Sequence, residues 1–459
     1  MTPMRAAVAL LAAFTLVTAC GGSNVGAGPA SSAGLLKPGA LVYWQTVSDP
    51  DSAQWEQAED LLARFPDGDR WLAQLKRELQ DEGVTWEEDV RPALGPVVDV
   101  VVYGGGGSKS PAVVGLTNPE DKNKLLALVR KLNEGSDEPV VTRVVGDWVA
   151  ISDRKQSIDT ALKEQGGQTL AEDDTFEAAL EELPDDALSR FYLDPARAIE
   201  LVGPGKERDA LSLLGFDALD FAGAWVKAKE NAAELAVTAR GEGADRLFGT
   251  GDLYSSELLD KVPADAFAFL SVQGEGLRRQ LEAIRGNPLF AKGLRELERE
   301  YGIELEEVLR LLDGEVAFYA RPGLLMPEFT LLLATTNEAG TKAAVERVLR
   351  RVPDEPRLSV STLDGIVVVS TAPDPADDLG ESGDKLPDAA AFEDALEAAD
   401  VPEQYTGLTY VDLTKVVDLI AVYADSAEVR RNLEPLRSLV AFGTKEGDEI
   451  SARAVLEID

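Results

Sequence analysis

LKRELQDEGVTWEEDVRPALG, residues 75–95, lies over LRELEREYGIELEEVLRLLDG, residues 294–314. Gly83 falls on Gly302 and Gly95 on Gly314, each pair 219 residues apart. The same offset recurs outward from this stretch. Asn118 after PAVVGLT matches Asn337 after EFTLLLATT, and Gly146 in VVGDWVAIS matches Gly365 in STLDGIVVVS. Further along, FEAALEEL at Phe176 matches FEDALEAA at Phe392, and RFYLDPARAIEL matches LTYVDLTKVVDL, which sets Asp194 opposite Asp412. The closing segments NAAELAVTARG and GDEISARAVLEI also correspond. The order is kept throughout and the offset drifts by only a few residues, the signature of an internal duplication. The halves run from 35 to 252 and from 253 to 459.

Each half reads alike. A strand (ALVYWQTV or AFAFLSV) is followed by helices such as WLAQLKRELQDE, whose apolar residues recur at helical spacing. Two strands joined by a Gly-containing loop come next, VVDVVVYGGGGSKSPAVVGL, then a helix and the pair VVTRVV and DWVAISD. Strands joined by short loops pair antiparallel, and helices interspersed with such hairpins give an α+β class. The expected architecture is two homologous α+β repeats, each a mainly antiparallel sheet with helices packed on one face. Strict βαβ alternation is missing, which sets the chain apart from doubly wound solute-binding folds.

The chain opens MTPMRAAVALLAAFTLVTAC. Arg5 and the free amine give a positive start, and Ala6 to Val17 is an uncharged, mostly apolar run. A membrane-spanning helix needs roughly 20 apolar residues, so this run reads as the core of a signal peptide, residues 1–19. Val17, Thr18, Ala19 and Cys20 form a bacterial lipobox, and Cys20 is the only cysteine in 459 residues. The pattern resembles lipoprotein precursors, which implies lipid attachment at Cys20 and cleavage before it; two or more acyl chains anchor stably. Residues 20–34 are rich in Gly, Ser and Ala, a flexible tether about 20 Å in mean span. The expected location is a membrane face outside the cytoplasm.

Lys+Arg number 45 against Asp+Glu 82, a formal charge of −37. Such a chain is repelled by nucleic acid and by anionic head groups, so no nucleic-acid partner is expected. There is no histidine, which removes His-based acid–base catalysis, Ser-His-Asp triads and His-ligated metal sites. With Cys20 acylated, no thiol remains for a disulfide or a metal. No cofactor and no metal are expected.

The lipobox, the Ala/Gly tether and the strand start Val262-Pro263-Ala264-Asp265-Ala266, of L-P-A-D-A type, together resemble bacterial lipoproteins grouped by a domain of unknown function. The resemblance covers most of residues 35–459. It carries no catalytic signature and implies a surface lipoprotein without assigning functional residues.

The remaining candidates have structural readings. GGGGSKS, residues 104–110, lies between two strands and not before a helix, so it reads as a hairpin loop and not a phosphate loop. Ser152-Asp153-Arg154-Lys155 matches S-x-x-K, but its companion motifs are absent, and Ser152 reads as a helix cap. Asp194 and Asp412 each follow a strand and precede a helix, the position of an N-cap. Asp374, Asp377, Asp378, Glu381, Asp384 and Asp388 read as a solvated acidic loop. All six tryptophans (Trp44, Trp55, Trp71, Trp86, Trp148 and Trp225) lie in the first half and read as core. Leu324, Leu325 and Met326 form an apolar hairpin tip, where polar residues are the rule; the expectation is that they fold back against the neighbouring half, and as the candidate contact loop they would instead dock a partner or the membrane. The expectation is a non-enzymatic, lipid-anchored binding or scaffold protein, held to the membrane by its anchor and partnered by an envelope protein or polymer. The alternatives are a carboxylate-based hydrolase acting on envelope polymers and an extracytoplasmic solute-binding protein.

Overall fold

The computed structural model describes residues 31–459 apart from 82, 105–109, 135, 249–250, 287–292, 294–295, 297, 300–301, 303, 325, 352–357, 374, 376–378, 380–382 and 425. The expected signal peptide, Val17, Thr18, Ala19, Cys20 and most of the tether lie outside the described residues. So do Leu325, most of GGGGSKS, and Asp374, Asp377, Asp378 and Glu381 of the acidic loop.

The described chain forms two compact units. The first runs to Leu201 and takes up Asp220–Val237 and Asp459; the second comprises Val202–Leu219 and Thr238–Ile458. Thr238 and Arg240 belong with the second unit, where Thr238 Oγ1 donates to Glu449 at 3.2 Å and Arg240 pairs with Glu449 at 3.1 Å.

The first unit holds β1 (Val42–Val47), β2 (Val97–Tyr103), β3 (Ala112–Thr117), β4 (Val141–Val145), β5 (Trp148–Ser152), β6 (Ser189–Leu193), β7 (Phe221–Lys229) and most of β8 (Ala232–Arg240). Their order across the sheet is β8-β7-β6-β1-β2-β3-β5-β4. The second unit holds β9 (Ala268–Gln273), β10 (Glu315–Arg321), β11 (Glu328–Ala334), β12 (Ser359–Leu363), β13 (Ile366–Ser370), β14 (Gly407–Asp412), β15 (Leu436–Glu446) and β16 (Glu449–Ile458). Their order is β16-β15-β14-β9-β10-β11-β13-β12. The strand pairs whose registers are resolved, β1–β2, β1–β6, β9–β10 and β9–β14 among them, run antiparallel. The fold is α+β with a large antiparallel sheet.

Turn chemistry fixes several corners. Asp364 and Gly365 both have positive φ, 45° and 85°, as the two-residue β12–β13 hairpin requires. Gly146 holds the matching β4–β5 turn at φ 61°. Asp121 and Asn337 accept backbone N–H bonds at the starts of helices Lys122–Asn133 and Glu338–Leu349, relieving donors that a helix leaves unpaired.

The expectation of helices on one face is overturned in the first unit. Val97 and Val101 of β2 pack with Ile158, Leu170 and Phe176, whereas Val98 packs with Trp86, Leu125, Leu128 and Val129. In β5, Trp148 and Ala150 join the first cluster and Val149 the second. Because side chains alternate across a strand, these clusters are two cores, with helices Lys155–Ala161 and Asp174–Glu181 over one face and Lys122–Asn133 over the other. The near-continuous apolar run Val97–Tyr103 reflects burial on both sides. Phe176 anchors one core edge-on between Tyr43 and Tyr192, each ring 5.1 Å away. In the second unit Phe392 meets Tyr410 in the same way at 4.9 Å.

Trp55, Trp86, Trp148 and Trp225 are buried as expected. Trp71 is 46 % exposed on helix Gly68–Asp81, beside Phe65, and is not core.

In each unit a buried carboxylate ties down the segment leading to the first strand. Asp99, fully buried on β2, accepts from Ser32 N at 2.7 Å and from Gln45 Nε2 at 2.9 Å. Burial pushes its carboxyl above the usual range, and the hydrogen bonds from Ser32 and Gln45 oppose that rise. In the second unit Glu315 of β10 accepts from Leu258 N at 3.2 Å, from Glu257 N at 2.9 Å, from Ser271 Oγ at 2.6 Å and from Ser256 Oγ.

Candidate functional site

Two of the three residues singled out as caps, Asp194 and Asp412, behave as caps. Asp194 accepts from Arg197 N at 3.0 Å and pairs with the Arg197 side chain; Asp412 accepts from Lys415 N at 3.2 Å and pairs with Lys415. Ser152 does not cap its helix. Its hydroxyl donates to Val113 O at 2.6 Å and lies 3.0 Å from Asp153 Oδ1, and it is Asp153 that reaches Ser157. Within the acidic loop, Asp388 Oδ2 accepts from Lys385 N and Asp384 O accepts from Ala264 N.

The apolar hairpin tip lies between β10 and β11. Arg321 and Glu328 close its base, 2.8 Å apart. Gly323 is required there, since a Cβ would fall 2.2 Å from Met326 O. Beyond this base Leu324 is 99 % exposed and Met326 69 %. The tip continues into an uncovered strip of sheet. Phe318 of β10 stands directly opposite Leu270 of β9, and Phe329 of β11 stacks on Phe318 with ring centres 6.2 Å apart and planes 16° apart. All three side chains are between 36 % and 42 % exposed. Further along the same face, Val316, Leu333 and Val367 are buried against residues such as Leu309 and Val345, with partly buried Leu277 packed alongside. The strip is thus the open end of a face whose other end is covered. Scattered exposed apolar residues are ordinary; here Leu270, Phe318 and Phe329 are contiguous with one another and with the exposed tip.

On the same face, two residues from Leu270 along β9, Val272 borders a pocket of about 200 Å³. Its floor crosses four strands. Val272 is paired with Gly407 of β14, Gly407 stands one rung beyond the Leu408–Phe442 pair and so beside Gly443 of β15, and Gly443 is paired with Ala452 of β16. Phe248, Leu277 and Ile450 also line it, and among the described residues of its lining none is charged.

A larger cavity, about 550 Å³, lies beside Glu315, with Glu257, Asp313 and Asp364 also on its walls. Glu315 is saturated: its two oxygens accept four protein donors, which fills the lone-pair sites of a carboxylate. A general base needs one of those sites free, so Glu315 serves as a clamp. Its neighbour Tyr254, 2.7 Å from Ser271 Oγ, is raised well above the ordinary phenol range, by burial first and by the Glu315 charge in lesser part. Among the described residues no three His, Cys, Asp or Glu gather to hold a metal ion, and no helix is long and apolar enough to cross a membrane.

The hairpin tip was visible as an anomaly of sequence. The strip was not, because Leu270, Phe318 and Phe329 each look like ordinary strand residues. Only the register brings them together.

Neither a protein-family profile nor a curated protein matches the chain. Among solved structures, two crystal forms of a protein named TP0453 are similar. Form IV shares 11 % identity, covering 45 % of this chain and 79 % of that one, with a TM-score of 0.24. Form III shares 10 %, covering 50 % and 90 %, also at 0.24. Likeness of this extent leaves function to the geometry of the chain itself.

Proposed function

We propose that this chain is a lipid-anchored, extracytoplasmic, non-enzymatic binding protein that takes an apolar component of the cell envelope on the open face of its second unit. The observation that carries the reading is the strip Leu270, Phe318 and Phe329 running into the exposed tip at Leu324 and Met326. The saturated state of Glu315 favours binding over carboxylate-based hydrolysis. The lipobox at Val17 to Cys20 supports the anchor.

Two homologous repeats are part of the same proposal. Numbered from the first strand of each unit, both strand orders read 8-7-6-1-2-3-5-4. Asp194 N donates to Leu41 O and Asp412 N to Phe267 O, so Leu41 and Phe267 occupy one place. Counting back from that register sets Ser32 on Leu258, the residues whose N–H groups bind Asp99 and Glu315. Gly83 and Gly302 share positive φ, as do Gly146 and Gly365. Duplication explains the shared strand order, the paired Asp194 and Asp412 contacts and the glycine angles; the two carboxylates stand two residues apart, Asp99 falling on Ala317.

The test is recovery of the full-length protein from its native envelope, with co-purifying protein and lipid compared between wild type and Leu324→Asp. The reading expects a component retained by the wild type and lost from the variant. Identical recoveries from both would refute it.

A further inference from the structure

We infer that the glycine-floored pocket of the second unit seats a hydrocarbon chain, so that the apolar component bound on this face is a neutral acyl lipid. The inference rests on the reading of the open face as a binding surface and names its ligand class.

The pocket is a built feature. On its floor, Val272, Gly407, Gly443 and Ala452 stand side by side across four strands. A Cβ on Gly443 would lie 2.2 Å from Thr406 Oγ1, so any side chain there forces neighbours to move. The first unit does without such a trough. Counting five residues back from Asp194 and Asp412 places Ser189 opposite Gly407, and Ser189 is paired directly with Val226. A serine and a valine thus stand on the rung where the second unit has two glycines, Gly407 beside Val272 and Gly443 covered by the Thr406 hydroxyl. The fold itself does not require the gap.

The lining gives the ligand chemistry. In a chain with formal charge −37 and 28 % charged residues, this pocket has no charged residue among the described residues of its lining. Apolar walls with a few polar groups are the mark of a site for an apolar ligand. Gln273, Gln280, Thr406 and Ser451 supply neutral hydrogen-bonding groups around it, which suits an ester or hydroxyl head. The acidic charge of the whole chain disfavours an anionic one. Continuity sets the direction. From Val272 the same face passes to Leu270, then to Phe318 and Phe329, so a chain whose end is seated in the pocket runs out along exposed aromatic rings.

The experiment uses the full chain and a pyrene-labelled diacylglycerol. Saturable uptake, competed by unlabelled diacylglycerol, is expected for the wild type. Ala452→Phe fills the floor and should weaken uptake at least tenfold with little change in melting temperature. If Ala452→Phe does not fold, Gly407→Ala replaces it. That methyl meets Val272 Cγ1 at 3.3 Å, a contact relieved by a small shift, and a loss of several-fold is expected. No saturable uptake by the wild type, or uptake unchanged in the folded variant, overturns the inference. If an envelope component is still lost from Leu324→Asp while the lipid probe fails to bind, the binding reading stands and only the acyl-chain assignment falls.

Discussion

Replacing Leu324 by aspartate separates a contact surface from a packed loop. Leu324 is 99 % exposed, so the substitution removes almost no buried area and places a charge in water. Surface changes of this kind stay within about 0.5 kcal/mol. For a unit of this size, 1 kcal/mol moves the melting temperature by roughly 2–4 °C, so the expected shift is at most about 2 °C. Leu332, on the adjoining strand β11, is the control. It is fully buried, and Leu332→Ala should cost about 2–5 kcal/mol through lost burial and the cavity left behind. That corresponds to a fall of roughly 4–20 °C. Differential scanning calorimetry of both variants beside the wild type reads the two values directly. A drop for Leu324→Asp comparable to that of Leu332→Ala would mean that the tip is covered in the folded protein, and the argument for a contact surface would fail.

Two further outcomes follow from the chain's chemistry. Cys20→Ser should leave the precursor uncleaved or release the protein from the membrane fraction, and mass spectrometry of the wild type should find acyl groups on Cys20; an unmodified Cys20 in the mature chain would count against the anchor. Asp99→Asn should alter how stability depends on pH, because burial raises the Asp99 carboxyl in the folded state. Folding then takes up a proton at this site, so the Asp99 contribution is full below the unfolded carboxylate value of about 3.9 and is lost as pH rises through the raised folded one. The stability of wild type relative to the variant should therefore grow as pH falls from neutral, and a difference independent of pH would contradict this.

The proposed duplication draws its sequence signal from glycines at special backbone angles, which resist replacement. Gly83, Gly146, Gly302 and Gly365 all have positive φ, where other residues are strained. The strand-then-helix positions of Asp194 and Asp412 were equally legible, since capping is a local interaction. The second layer of helices was missed because VVDVVVY was read as one member of a hairpin. Its apolar residues on both sides, Val97 and Val98 among them, are the mark of a strand covered twice. The buried carboxylates were beyond reach for a different reason. Asp99 finds its donors 54 and 67 residues away, and Glu315 finds its own 44 to 59 residues away. Such separations leave no local pattern. Gly407 and Gly443 likewise look like two weak points in separate strands until the β14–β15 register sets them side by side.

The most direct test of the open face puts a photoreactive benzophenone side chain at position 324 of the full-length protein and irradiates intact envelopes. The account predicts a discrete adduct with one envelope component, diminished when Phe329→Ser breaks the aromatic strip behind the tip. Irradiation that yields no adduct, or adducts unaffected by the loss of Phe329, would contradict it.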